Sequence, residues 1–323
     1  MKRHFLLIIC LIYWTIPQSI AQKNVGPQAR SGYSLAYDEN RGVVVLFGGQ
    51  DTASVSLSDT WEWANGVWTN LNIKGPSARI NASMAYDTLM KRVVLFGGRT
   101  KLGLQDDLWV FDGRNWVKFN TLNAPPVRQL GTMVFDKSLS QLVLFGGMDA
   151  SKNTLGDTWV LKDSNWVQLN GKGPTPRASH CMTYNNNLGA VFIYGGYIDG
   201  NGVNELWELK NGVWHDLTNK SGPGRIHASI SYDPDKRRML LFGGFNEQGR
   251  TNELWEYSDQ IKEWSIIRVE NREIPTPRAE HRSIFIPRQG LFVFGGVIGV
   301  DPNTRNRAND TWLYKETGWT KLR

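Results

Sequence analysis

The chain has 323 residues, of which 41% are hydrophobic, 21% charged and 11% aromatic, with 33 Gly and 14 Trp. That length supplies about two domains, or one large all-β or α/β domain, and the composition excludes wholesale disorder. Two cysteines, Cys10 and Cys181, provide neither a disulfide framework nor a paired-cysteine zinc site. The formal net charge of +7 comes without a Lys/Arg run of five or more, so charge marks neither a nucleic-acid-binding nor a membrane-surface protein.

Residues 1–21 open with Lys2 and Arg3, continue in the apolar run Phe5 to Trp14 and close on Ser19-Ile20-Ala21. This three-part order predicts a secretory signal peptide cleaved after Ala21. An apolar run of about ten residues, broken by Pro17, falls short of the roughly 20 that a spanning helix needs. The expected product is therefore exported, secreted or periplasmic, with no membrane span, and it carries a net charge of +5 once Lys2 and Arg3 are removed. Deleting residues 2–21 is expected to leave the protein in the cytosol, as read by cell fractionation.

From residue 30 onward the chain repeats itself. Gly-Gly doublets close an apolar run at Gly48-Gly49, Gly97-Gly98, Gly146-Gly147, Gly195-Gly196, Gly243-Gly244 and Gly295-Gly296, spaced by 49, 49, 49, 48 and 52 residues. The runs before them, such as Val43 to Phe47, are short and rich in β-formers, and read as buried strands. One more strand lies upstream in each repeat, from an Arg to an aromatic seven residues on: Arg30/Tyr37, Arg79/Tyr86, Arg128/Phe135, Arg177/Tyr184, Arg225/Tyr232 and Arg278/Phe285. After each doublet come a polar loop, an acid with a Trp two residues later, and a second Trp. The acid–Trp pairs are Asp59/Trp61, Asp107/Trp109, Asp157/Trp159, Glu205/Trp207, Glu253/Trp255 and Asp310/Trp312. Between the two Trp lies a hairpin signal, plainest at Asn65-Gly66 and Asn211-Gly212.

Four antiparallel strands per repeat, six times over, predict an all-β fold: a six-bladed β-propeller of four-stranded blades. The blades fall at about residues 30–73, 74–122, 123–171, 172–219, 220–270 and 271–323. No strand is exchanged between the termini, so closure is expected from side-chain packing, helped by residues 22–29.

The doublets, the aromatic-rich strand after each, the second Trp and the starts Pro174-Thr175-Pro176-Arg177 and Pro275-Thr276-Pro277-Arg278 resemble the kelch-repeat propellers over residues 30–323. This resemblance implies a ligand or partner site on the face that carries the arginines and the variable loops. Fold alone does not assign a function, since one architecture hosts binders and enzymes alike.

Connectivity puts Arg30, Arg79, Arg128, Arg177, Arg225 and Arg278 on that face, around the central channel. Two expectations compete for them. They pair with the six acids as a structural belt, as buried arginines do, or they point into the channel mouth and grip a carboxylate or phosphate. On the second expectation all six are ligand-binding residues, and the chain is a monomeric binding module for an acidic saccharide or an extracellular protein segment. The alternative is an enzyme, a secreted sugar epimerase or mutarotase, with Glu280 as the only acid beside the ring arginines.

Other chemistry finds little support. His180 and His281 stand three residues after their Arg and His227 two, a one-residue offset that turns His227 to the other strand face and argues against a metal site. Cys181 is expected as a small buried residue. No Gly-x-Ser-x-Gly elbow, phosphate loop or dinucleotide fingerprint occurs. No cofactor and no nucleic-acid partner is expected.

Overall fold

The computed structural model describes residues 26–219, 221–270 and 273–323, so the expected leader lies outside the described residues. Each blade is an antiparallel meander whose strands pair in chain order from the axis outward. The innermost strands are Ser34–Asp38, Thr132–Asp136 and Ser229–Asp233 in blades 1, 3 and 5, and Ser83–Asp87, Cys181–Asn185 and Arg282–Ile286 in blades 2, 4 and 6. They touch one another in cyclic order, the sixth beside the first. The second strands, such as Val43–Phe47 and Arg92–Phe96, are buried on both faces between neighbouring blades, which is why they read as unbroken apolar runs. Among the described residues no helix is long and apolar enough to cross a membrane.

The Gly-Gly doublets form the seams between blades. The second glycine of each donates its N–H to the carbonyl of the next blade's arginine: Gly49 to Arg79, Gly98 to Arg128, Gly147 to Arg177, Gly196 to Arg225, Gly244 to Arg278 and, closing the circle, Gly296 to Arg30, all between 2.8 and 3.0 Å. The first glycine is left-handed, and a Cβ there meets that same carbonyl; at Gly146 (φ 60°) it falls 2.7 Å from the Arg177 oxygen. Only glycine accommodates both the dihedral and the approach.

A second backbone ring runs along the axis. Two residues after each arginine stand Gly32, Asn81, Leu130, Ser179, His227 and Glu280, every one left-handed, with φ between 55° and 63°. Each donates its N–H to the carbonyl of its counterpart in the preceding blade, from Asn81 to Gly32 (2.7 Å) round to Gly32 to Glu280 (3.4 Å). For residues other than glycine this conformation costs about 1–2 kcal/mol, and the ring of six hydrogen bonds holds it. Closure is thus not by side-chain packing alone. Backbone bonds join blades 6 and 1, and Trp68 adds a bond from Nε1 to Thr311 Oγ1 (3.0 Å) while packing against Phe292 and Phe294. The same indole-to-threonine bond ties Trp116 to Thr60 and Trp214 to Thr158 (both 2.9 Å).

The stretches after the doublets, expected as plain loops, fold back as short ribbons in blades 2, 4 and 5, for example Phe245–Asn246 against Gly249–Arg250. In blade 3 the flanking strands run on instead, through a bulge at the doublet.

Just inside the axial ring, side chains link blade to blade. Ser34 Oγ donates to the Ala82 carbonyl and Ser83 Oγ to that of Gly131 (both 2.9 Å). Thr132 Oγ1 lies 2.6 Å from His180 Nε2, and Ser229 Oγ lies 2.8 Å from His281 Nε2. Burial holds both imidazoles neutral, pulling His180 from 6.5 to about 3 and His281 well below its ordinary value. Unfolded imidazoles take up protons below about 6.5 and the folded ones do not. Their contribution is therefore full above that pH and declines as pH falls toward 3, by about 1.4 kcal/mol per pH unit for each imidazole. Urea unfolding between about pH 7 and 5 is expected to show this loss, and stability that stays flat across that window contradicts it.

Candidate functional site

All six ring arginines are buried and paired with the acid of their own blade. Arg30–Asp59, Arg79–Asp107, Arg128–Asp157 and Arg278–Asp310 close at 2.6–2.8 Å, with the two terminal nitrogens on the two carboxylate oxygens. Arg177–Glu205 and Arg225–Glu253 pair through one nitrogen and one oxygen. In five blades Nη1 also donates to the carbonyl of the doublet's first glycine, as Arg30 does to Gly48 (2.9 Å). Of the two expectations for these arginines the geometry matches the pairing with the six acids, and none of the guanidinium groups lines the channel. A guanidinium buried at a blade seam finds its carboxylate inside its own blade, and the fold uses its donors there.

The acid–Trp spacing has the same origin. Each acid also accepts the indole N–H of the Trp two residues on, from Trp61 on Asp59 (2.6 Å) to Trp312 on Asp310 (2.6 Å). Burial works against the charge on Asp59, Asp107, Asp157 and Asp310, but the arginine and indole bonds outweigh it and hold these carboxyls below the usual value.

The central channel encloses about 300 Å³ and is lined by the six innermost strands. It extends from the layer just inside the axial ring to the turns on the opposite face, where Glu39, Thr88, Lys137, Asn186, Pro234 and Pro287 border it. Lys137 Nζ pairs with Glu39 at 2.8 Å, joining blade 3 to blade 1; the pair is exposed and correspondingly weak.

Blade 6 breaks the repeat inside this channel. The first residue of the innermost strand is Ser34, Ser83, Thr132, Cys181 and Ser229 in blades 1 to 5, and Arg282 in blade 6. Its backbone N–H donates to Tyr33 Oη (2.9 Å), and Nη1 reaches only the His281 carbonyl (3.3 Å). Protein surrounds the side chain while part of its surface stays open to the channel. No carboxylate forms an ion pair with it among the described residues, which include all 30 Asp and Glu of the chain. Burial pulls the guanidinium below its ordinary value, against the opposing influence of Tyr33, Glu280 and Cys181.

Two further cations stand near it on the arginine face. Arg250 is committed to the loop after the sixth doublet, donating to the carbonyls of Gly299, Asp301, Pro302 and Thr304. Arg307 donates to Ser31 Oγ (3.1 Å) and Gln50 Oε1 (2.8 Å), both neutral partners. Glu280, in the axial ring, interacts electrostatically with Arg250, Arg282 and Arg307. Burial raises the Glu280 carboxyl, but His227, the Ser31 hydroxyl, Arg307 and Arg282 outweigh it and hold the group below its usual value.

His227 shares the axial ring with Glu280, one position ahead of the layer of His180 and His281. Among the described residues no three His, Cys, Asp or Glu cluster as metal ligands would. Cys181 is buried, its thiol pushed up to about 12 by burial. Arg282 escaped sequence reasoning because it lies one residue past His281, outside the arginine and doublet registers. Aligning the six strand starts by register isolates it as the only charge.

Replacing Arg128 with Ala leaves Asp157 without its partner and is expected to cost about 3–5 kcal/mol. Urea unfolding checks this, and a loss below about 1 kcal/mol contradicts a structural belt.

Comparison with known proteins places this geometry in a family. The Attractin/LZTR1 β-propeller family matches residues 142–323, more than half of the chain. No curated protein matches it. With that match over blades 3 to 6 and the same seam and belt repeated in all six blades, the chain belongs to the Attractin/LZTR1 family of kelch-type β-propellers.

Proposed function

We propose that this chain is an exported binding module that takes an acidic ligand, an acidic saccharide, at the axis of its ring. The observation that carries the reading is the charge left over after the fold has used its own. The six belt arginines are neutralised by six acids. Three further cations, Arg250, Arg282 and Arg307, share Glu280, with Asp301 also acting on Arg250. Guanidinium groups in surplus suit carboxylate recognition. In this reading the belt arginines serve the ligand indirectly, by fixing the loops and the channel wall.

A second reading, a sugar isomerase, draws support from Glu280 alone. Its carboxyl is held below the usual value, it lies beside His227 in the axial ring, and it is under the influence of Arg282. A base next to a carboxylate-holding cation suits proton transfer at a sugar carbon or hydroxyl. The other blades offer no second acid at that position, which favours binding over turnover.

Thermal unfolding of the purified chain against uronic acids, neutral hexoses and anionic peptides tests the first reading, and the second requires turnover that is lost in Glu280→Gln with the fold intact. A ligand at 100 times its dissociation constant stabilises by about 2.7 kcal/mol. Stabilisation by uronic acids and not by hexoses is expected. Stabilisation by anionic peptides alone transfers the reading to an extracellular protein segment, and an equal response to neutral sugars removes the acidic requirement.

A further inference from the structure

The channel itself carries a more specific inference, which rests on the reading above. We infer that Arg282 is the specificity-determining residue of a carboxylate site inside the channel, and that its ligand is a single sugar acid rather than a polymer or a protein segment.

Four observations converge on this. The channel holds about 300 Å³, at the lower end of the roughly 300–1,000 Å³ of small-molecule sites, a size that suits one sugar ring. Its wall at this level is built from small residues, Ser34, Ser83, Thr132, Cys181 and Ser229, with Arg282 as the single exception. The hydroxyls of Ser34 and Ser83 donate to the carbonyls of Ala82 and Gly131, and neither accepts a bond from the guanidinium among the described residues. One Arg282 nitrogen has one carbonyl partner at 3.3 Å, and the other donors have none among the described residues.

An arginine held within the protein with no carboxylate bonded to its guanidinium is unfavourable for the fold by itself, and the Glu280 carboxylate acts on it without forming an ion pair. A repeat that uses small residues at this position in five blades has no packing need for a charge in the sixth. A carboxylate in the channel satisfies two donors side by side, a geometry that a planar guanidinium matches and an ammonium does not. The channel also reaches the turn face, where the exposed Lys137–Glu39 pair is the only ion pair between lining residues. A ligand entering from that side meets Arg282 at the inner end.

Isothermal titration of the full chain with D-glucuronate and with D-glucose tests the inference. Arg282→Ser restores the residue of blades 1, 2 and 5, and Arg282→Lys keeps the charge without the fork. The wild type is expected to bind glucuronate and not glucose. Arg282→Ser is expected to weaken glucuronate at least tenfold with an unchanged or raised Tm, and Arg282→Lys to recover only part of the affinity. Equal glucuronate affinity in Arg282→Ser overturns the inference, as does a loss accompanied by a fall in Tm, which marks a structural role. A wild type that ignores glucuronate also overturns it. If anionic peptides still bind in that case, the broader reading of an acidic ligand stands without this site.

Discussion

The whole ring depends on the seam where one blade's second Gly-Gly nitrogen meets the next blade's arginine carbonyl. That bond recurs six times at 2.8–3.0 Å and includes the return from blade 6 to blade 1. It sets the angle between neighbouring blades, because the first glycine's left-handed turn brings the two backbones closer than any side chain allows. The arginine that supplies the carbonyl turns its guanidinium back into its own blade, where the acid and the doublet's carbonyl receive it. One residue thus joins two blades through its backbone and braces one through its side chain.

The Arg–acid–Trp clusters follow from this. A guanidinium buried at a seam needs a counter-charge, and the acid needs further donors to stay ionised where burial opposes it. The indole two residues on supplies one at 2.6–3.0 Å in every blade. Motifs that look separate in the chain, an arginine, a doublet and an acid–Trp pair, are therefore parts of one hydrogen-bonded unit. The axial ring adds a second circle of bonds and forces five residues other than glycine into left-handed geometry. Such strain persists only where surrounding structure over-determines it, and here the neighbouring blades on both sides do so.

Against this regular frame, blade 6 stands apart. Its innermost strand begins with Arg282 where the others have small residues, and its axial residue is Glu280. Its long loop is pinned by Arg250 from blade 5, and Arg307 returns from it toward Ser31 and Gln50 of blade 1. A symmetric ring has no structural reason to concentrate charge on one side of its axis. The asymmetry is the physical basis for locating ligand chemistry there and not in the six equivalent arginines.

The fold class was legible because repetition is visible in one dimension: the doublets, the strand runs before them and the acid–Trp pairs recur at nearly constant spacing, and each has a local cause in turn geometry or strand burial. The pairing of belt arginines with acids was legible as one of two options, since equal numbers of each stood at strand starts, but spacing cannot say which way a guanidinium turns. That choice belongs to the tertiary structure, because it depends on a carbonyl and a carboxylate brought together from about 18 and 29 residues away. The role of Gly-Gly was half visible: the end of a strand was expected, while the contact with the next blade exists only once the ring closes. Arg282 was hidden for the same reason. Along the chain it is one more arginine beside His281, and only closure of six strands around an axis makes it the lone charge in a layer of small strand-start residues that lines the channel.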